Sequence, residues 1–195
     1  MKRILLIDNY DSFTYNVLHL IKRVCNTTAD IVKNDKIDFS SLNDYTHIII
    51  SPGPGIPSES GDVLKVIELC KESHSILGIC LGHQAIAECF GGKLINLPTP
   101  LHGHKSKLII NSKDPVLSKL KISNNTISVI NIGLYHSWAV DEASIGNDLK
   151  VGSKNEDGIV MTLYHRIFNI YGMQFHPESV ITERGEEIFR CWWNL

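Results

Sequence analysis

The chain has 195 residues, of which 43% are hydrophobic and 21% charged, the composition of an ordinary globular protein. Nineteen lysines and arginines against twenty-one aspartates and glutamates give a net charge of −2, so we expect no nucleic-acid partner. The first apolar run, residues 4–7, is too short for a secretory signal, and no run approaches a membrane span of about 18 residues. We therefore expect a single cytoplasmic domain, residues 1–195, without membrane contact.

Apolar strand patterns alternate with helical patterns in the first half of the chain. Strands are predicted at 3–8, 29–34, 46–51 and 75–79, and helices at 12–24, 61–72 and 82–91. Glycine and proline alternate in residues 52–57 and predict a loop, because no strand ladder could run through them. Near-continuous apolar strands that alternate with helices favour a parallel sheet covered on both faces.

Short segments rich in β-branched residues characterise the second half. We predict strands at 93–97, 106–111, 126–132, 135–140, 149–154 and 159–165, and a last strand at 170–175. Most should be antiparallel, either added to the first sheet or forming a small subsidiary one. A final helix is predicted over 182–195, with Thr182 as its N-cap. The predicted fold class is α/β: one doubly wound, mostly parallel sheet with helices on both faces and added antiparallel strands.

One of the five cysteines stands in a distinctive pattern, although all five are scattered without a CxxC motif and are expected to be separate thiols. Gly78-Ile79-Cys80-Leu81-Gly82 has the G-x-nucleophile-x-G spacing of a nucleophile elbow at a predicted strand-to-helix junction. Glycines avoid collisions at such a strained turn, and the helix N-terminus favours a thiolate. A buried structural cysteine between packing glycines has the same spacing, but the flanking strand and helix favour the nucleophile.

A nucleophilic cysteine needs a base and a group that orients the base. Among nine histidines, His176 directly follows a predicted strand, and Glu178 comes two residues later, after Pro177. A carboxylate at this offset can accept from one ring nitrogen and leave the other facing the thiol. An ordinary strand-end loop with a surface glutamate is the alternative. His102 and His104 form an H-x-H pair, but without a third ligand nearby we expect no metal site.

The glycine–proline loop 52–57 is a second candidate for chemistry. Glycine lets bare backbone approach a ligand, and proline keeps the N–H groups aimed, which suits an oxyanion hole. A rigid connecting loop could have the same composition. The segment lacks G-K-[ST], so it is not a nucleotide-binding P-loop.

Together these segments resemble the class I, or triad, glutamine amidotransferases. ILGICLGHQAIAECFGG, ISPGPGIP and GMQFHPESV resemble the three blocks of that superfamily, in its order. LIDNYDSFTYN and YHSWAV narrow the resemblance to the small subunit shared by anthranilate synthase and aminodeoxychorismate synthase, and it covers essentially the whole chain. Relatives often read H-G-K-x-S where this chain reads HGHKS, residues 102–106, which leaves the role of that segment open.

The resemblance implies roles for particular residues. Cys80 would be the nucleophile, His176 the base and Glu178 the group that orients it. The backbone of Gly53 and Leu81 would form the oxyanion hole. The glutamine substrate would be held by Gly53, Pro54, Gly55, Gln84, Ser137 and Trp138.

The implied reaction is hydrolysis of L-glutamine to glutamate through a cysteine thioester, without a metal or organic cofactor in this subunit. Ammonia freed into water would be protonated, so a partner should dock over the site. The resemblance implies that this partner is a chorismate-binding, Mg²⁺-dependent synthase subunit and that the two form a hetero-oligomer. The first expectation is anthranilate synthesis in the tryptophan pathway. Aminodeoxychorismate synthesis in the folate pathway, or service to both pathways, is the alternative. A non-catalytic binding module and a cysteine peptidase remain further alternatives; the complete triad disfavours the first, and Gln84 with YHSWAV the second.

Overall fold

The computed structural model describes residues 2–122 and 125–195. In these residues the α-helices are α1 (Thr14–Cys25), α2 (Val63–Cys70), α3 (Leu81–Cys89) and α4 (Gly185–Trp193). The strands are β1 (Ile4–Asp8), β2 (Ala29–Lys33), β3 (His47–Ile50), β4 (Ser75–Ile79), β5 (Leu94–Ile109), β6 (Lys121–Ile122), β7 (Asn125–Thr126), β8 (Val129–Val140), β9 (Leu149–Val151), β10 (Lys154–Asn155), β11 (Thr162–His165) and β12 (Ile170–Met173). None of these helices is long and apolar enough to cross a membrane.

The central sheet has the strand order β2-β1-β3-β4-β12-β11-β9. The first five strands of that order are parallel to one another, and β11 and β9 extend the sheet at one edge with antiparallel pairing. Side chains alternate between the two faces along each strand. Leu6 joins the apolar core under α1 and α4, whereas Leu5 and Ile7 join the core under α2 and α3. The predicted α/β class with helices on both faces is confirmed.

The carboxyl ends of four neighbouring strands place chemistry at one edge of this sheet. Asn9 follows β1, Ser51 follows β3, Cys80 follows β4 and Gln174 follows β12. Because these strands are parallel and adjacent, the residues that directly follow them lie together at the same edge of the sheet. Ligands bind at this edge in open α/β folds.

A second, antiparallel sheet has the order β10-β5-β8. Strands β5 and β8 pair along their length from Leu94–Val140 to Ile109–Val129, with two register shifts. The prediction of separate short strands was therefore wrong here, because each pair of segments belongs to one long strand: 93–97 with 106–111, and 126–132 with 135–140. Pro98 interrupts the sequence pattern of β5, but the register shift beside it accommodates the lost ladder bond.

The C-terminal helix begins later than predicted. Helix α4 starts at Gly185 with Arg184, at φ +59°, as its N-cap. The prediction of Thr182 as N-cap was wrong, because its hydroxyl donates to the His176 carbonyl at 2.6 Å and accepts from the Gly133 N–H at 3.0 Å. Thr182 thus fastens the loop that carries His176 to strand β8.

Candidate active site

Cys80 lies at the junction of β4 and α3, where the elbow spacing predicts it. Its φ of 53° and ψ of −100° are a strained conformation for a residue with a side chain. Its N–H donates to the Met173 carbonyl at 2.7 Å, and its carbonyl accepts from the Gln84 N–H at 3.1 Å. These two bonds join the turn to β12 and to the first turn of α3.

The two glycines of the elbow are required by close backbone approaches. A Cβ on Gly78 would lie 2.3 Å from the carbonyl of Gly82, and a Cβ on Gly82 would lie 2.6 Å from the Ile50 carbonyl oxygen. Real Cβ atoms do not approach backbone so closely, so either side chain would force the strand and helix apart. The steric reason inferred from the sequence therefore holds at both positions.

His176 and Glu178 form a buried pair. Nδ1 of His176 lies 2.7 Å from Oε1 of Glu178, and their side chains are 2% and 0% exposed. Burial by itself lowers the pKa of His176, but the charges of Glu178 and of the Cys80 thiolate outweigh it and hold that pKa well above its ordinary value. Within the described residues, Nε2 of His176 is buried and has no hydrogen-bond partner, so it is free to serve the thiol.

The other four cysteines have surroundings of a different kind. All five lie in described residues and are free thiols. Burial raises the pKa of Cys25, Cys70 and Cys89 to about 11, and burial also raises the pKa of Cys191. A thiol with so high a pKa stays protonated and unreactive at neutral pH. Among the five, Cys80 is the one that faces a histidine–carboxylate pair.

A cavity of about 190 Å³ opens beside Cys80. All six residues that the sequence assigned to glutamine line it, together with two residues of β8, Tyr135 and His136, that sequence reasoning left without a role. Its lining residues are Gly53, Pro54, Gly55, Cys80, Gln84, Tyr135, His136, Ser137 and Trp138.

Gly53, which lines this cavity, lies next to Leu81, the residue directly after Cys80. A Cβ on Gly53 would lie 2.9 Å from Cδ2 of Leu81 and 2.5 Å from Cβ of Asn9. Leu81 is the first residue of α3, where backbone N–H groups lack intrahelical partners. This proximity is compatible with the predicted oxyanion hole, which stays a prediction.

An amide network that sequence reasoning missed holds Ser51, the residue directly before the loop 52–57. The backbone N–H of Asn9 donates to Oγ of Ser51 at 3.0 Å, and its side-chain Nδ2 donates to the Ser51 carbonyl at 2.8 Å. Nδ2 of Asn34 donates to Oδ1 of Asn9 at 3.0 Å. Asn9 is 2% exposed, and a polar residue directly after an apolar strand was the available signal.

Two aromatic rings enclose the imidazole of His176. The rings of Phe13 and Tyr135 lie 5.2 and 4.8 Å from it, between centroids, and 4.9 Å from each other. His102, from the HGHKS segment, lies edge-on to Tyr135 at 5.7 Å. The segment therefore touches the wall of the site.

In the described residues no group of three or more His, Cys, Asp or Glu side chains is arranged to hold a metal.

His136 is a further histidine in the cavity wall. Its Nδ1 lies 2.8 Å from the Trp138 carbonyl oxygen, to which it can only donate. Burial lowers the pKa of His136 to about 4, so the ring is neutral near pH 7. It therefore adds a dipole but no charge to the site.

Comparison with known proteins identifies the family. The model of the family described as "Glutamine amidotransferase class-I" matches residues 5–194. The chain belongs to this family. The class I amidotransferase is 39% identical over 190 residues to anthranilate synthase component 2 of Cyanophora paradoxa, covering 96% of each chain. It is 36% identical over 189 residues to aminodeoxychorismate synthase component 2 of Klebsiella aerogenes, covering 95% of this chain and 96% of the other.

Solved structures agree with the fold of this amidotransferase. A candidate GMP synthase subunit of Thermoplasma acidophilum superposes with a TM-score of 0.83 at 28% identity, over 100% of this chain and 93% of that one. A glutamine amidotransferase of Thermotoga maritima superposes with a TM-score of 0.75 at 17% identity, over 91% of this chain and 76% of that one. The chain is thus a class I glutamine amidotransferase of the anthranilate and aminodeoxychorismate synthase type.

Proposed function

We propose that this chain is a glutaminase subunit that hydrolyses L-glutamine and passes the ammonia to a chorismate-binding synthase subunit. The observation that carries the proposal is the convergence of Cys80, His176 and Glu178 beside one small cavity. A thiol with an imidazole and a buried carboxylate is the arrangement that nucleophilic acyl transfer requires. A non-catalytic binding module would not need to bury this carboxylate against the histidine.

In the first step the Cys80 thiolate attacks the side-chain carboxamide carbon of glutamine. The resulting oxyanion is stabilised by the N–H groups of Gly53 and Leu81. Protonated His176 gives its proton to the amide nitrogen, the C–N bond breaks, and ammonia leaves a γ-glutamyl thioester on the sulfur. Glu178 supports the imidazolium, because its carboxylate lies 2.7 Å from Nδ1.

In the second step His176, now neutral, takes a proton from water, and the hydroxide attacks the thioester carbonyl. The C–S bond breaks, and the new γ-carboxyl group loses its proton to water as glutamate leaves. The thiolate and imidazolium are thereby restored. Gly55, Gln84, Ser137 and Trp138 line the cavity and would hold the α-amino and α-carboxylate groups of glutamine. Pro54 shapes the same wall. No step requires a metal or organic cofactor in this subunit.

A partner subunit is part of the proposal for a chemical reason. Ammonia released into neutral water becomes ammonium, which is not a nucleophile, so the product must travel through an enclosed path. We infer a hetero-oligomer in which a chorismate-binding subunit covers the cavity, inside the cytoplasm, with residues 1–195 acting as one glutaminase domain. Anthranilate synthesis is the first assignment, and aminodeoxychorismate synthesis, or service to both, is the alternative.

A reconstitution experiment tests the proposal and separates the pathways. The chain is mixed with each candidate large subunit, and glutamate, anthranilate and aminodeoxychorismate are measured with glutamine or with ammonium as nitrogen source. We expect glutamine-dependent product with one partner or both, and weak glutaminase activity alone. The variant Cys80→Ser should lose product from glutamine but keep it from ammonium. Absence of glutamate release with either partner would refute the proposal.

A further inference from the structure

Gln174 is a buried amide in contact with the sulfur, and the mechanism above gives it no role. It follows β12 directly, it is 0% exposed, and its backbone N–H donates to the Met161 carbonyl at 2.8 Å. Its side-chain Nε2 lies 3.6 Å from Sγ of Cys80, within the range for an N–H···S hydrogen bond. A polar amide held this deeply in a core must have partners for both of its ends.

The orientation of this amide is determined by a chain of contacts that ends at the backbone. Nε2 of Gln84 lies 2.8 Å from the Trp138 carbonyl oxygen, which can only accept. A flipped Gln84 would place oxygen against oxygen, so its NH₂ group must face this carbonyl. The same Nε2 lies 3.2 Å from Oε1 of Gln174. Gln174 therefore accepts with its oxygen from Gln84, and its NH₂ group is turned toward Sγ.

The Trp138 carbonyl is also occupied from the other side by Nδ1 of His136, at 2.8 Å. Both lone pairs of this carbonyl oxygen thus accept a hydrogen bond. The bond from Gln84 fixes the orientation of its side-chain amide, and Gln84 in turn fixes the orientation of the Gln174 amide. An amide N–H donates far better to a thiolate, which is negatively charged, than to the neutral sulfur of a thioester. The contact should therefore stabilise the charged nucleophile before attack, from the same segment after β12 that carries His176.

We propose that Gln174 is a catalytic residue that donates a hydrogen bond to the Cys80 thiolate, and that Gln84 positions it by holding its oxygen. The assignment rests on the proposed function for its meaning in glutamine hydrolysis. The donor stabilises negative charge on the sulfur, and it directs the sulfur toward the cavity. Gln84 consequently has a role besides lining the substrate cavity.

The test measures the alkylation rate of Cys80 by iodoacetamide against pH, by mass spectrometry of the Cys80 peptide. The chain is used with neither glutamine nor partner present. Gln174→Glu keeps the oxygen that accepts from Gln84 and replaces only the donor with a negative oxygen. We expect its alkylation near pH 7 to slow by about 100-fold, with the midpoint of the pH profile moved upward. Gln174→Met keeps the length but removes the donor, and we expect about tenfold slowing.

Asn155→Asp is the matched control, because Asn155 is also a buried amide (1% exposed) but does not line the cavity. It should cost stability in thermal unfolding and leave the alkylation profile within twofold of wild type. If Gln174 had a purely structural role, its variants would behave like this control. Folded Gln174→Met and Gln174→Glu proteins with the wild-type alkylation rate and midpoint would therefore overturn the assignment. If Gln174→Glu does not fold, the Gln174→Met profile decides alone.

The experiment also separates this inference from the proposed function. Alkylation reports only on the sulfur, whereas glutamate release with the partner subunit reports on the reaction. A shifted alkylation profile in a protein that never releases glutamate would sustain the contact and refute the function. An unshifted profile in an active glutaminase would refute the contact and leave the function intact.

Discussion

Replacing Glu178 with glutamine tests the buried pair that the whole mechanism depends on. Glutamine can still accept from Nδ1 of His176, so Glu178→Gln removes the charge and little else. Both side chains are at most 2% exposed and 2.7 Å apart, so water cannot replace the lost charge. Loss of the corresponding charge in a serine-protease triad costs about 10⁴ in kcat. We expect about 10³ here, or roughly 4 kcal/mol at 1.36 kcal/mol per tenfold, because a thiolate needs less help than an alkoxide.

The pH dependence gives the same prediction a direction. Burial lowers the pKa of His176, but the charges of Glu178 and Cys80 outweigh burial and hold this pKa well above its ordinary value. The imidazolium therefore persists to higher pH than that of an ordinary histidine. Activity should fall as pH rises through this pKa, since the leaving nitrogen then receives no proton. Without the Glu178 charge the pKa of His176 falls, and the alkaline limb should move to lower pH.

The assay is glutamate release by the complex with the partner subunit, from pH 6 to pH 10. Glu186→Gln is the control, because Glu186 makes an exposed ion pair with Arg23 at 3.2 Å, and such a pair contributes little. That variant should stay within twofold of wild type. A Glu178→Gln enzyme within tenfold of wild type, with an unmoved alkaline limb, would refute the reasoning.

Three further predictions concern packing and loop geometry. Gly82→Ala should lower the free energy of unfolding by about 3 kcal/mol in urea titration, because its Cβ would lie 2.6 Å from the Ile50 carbonyl oxygen. Gly146→Ala is the control: a Cβ there would lie 3.4 Å from its nearest neighbour, so the variant should be nearly as stable as wild type. Asp114→Ala should cost about 3–5 kcal/mol in the same titration, since Asp114 accepts from buried hydroxyls and backbone N–H groups that would lose their partner; equal stability would show that water replaces it. Asn9→Ala should reduce kcat for glutamate release by about tenfold or more with a folded protein, because the oxyanion loop loses its support; unchanged kcat would contradict this.

Much of the site was predictable because its signals are local in the sequence. The glycine at position 78 reflects a clash with Gly82 four residues later, and Glu178 reaches His176 across one proline. The glycine at position 82 is required by Ile50 of the neighbouring strand β3, but its spacing from Cys80 is visible in the sequence. The order of strands and helices follows from short apolar patterns. Strand β5 was divided wrongly, because Pro98 reads as an end of strand, whereas the pairing with β8 continues past a bulge.

Other parts of the site depend on which strands lie side by side. Gln174 and Cys80 are 94 residues apart in sequence, and they touch because β12 inserts beside β4 in the sheet. Gln84 reaches the Trp138 carbonyl across 54 residues, because β8 of the second sheet folds over the start of α3. Thr182 holds the His176 loop rather than capping a helix, since Gly133 comes within reach only in the folded chain.

The sequence by itself determined the kind of chemistry: a cysteine in a strained turn, a histidine with its carboxylate, and a loop of bare backbone. Each of these is specified by residues within a few positions of one another, so steric and electrostatic rules can be read directly. The tertiary structure alone decided which neutral amides and rings surround the sulfur and imidazole. These contacts join distant segments, and their free energies depend on strand order and burial that no local pattern contains.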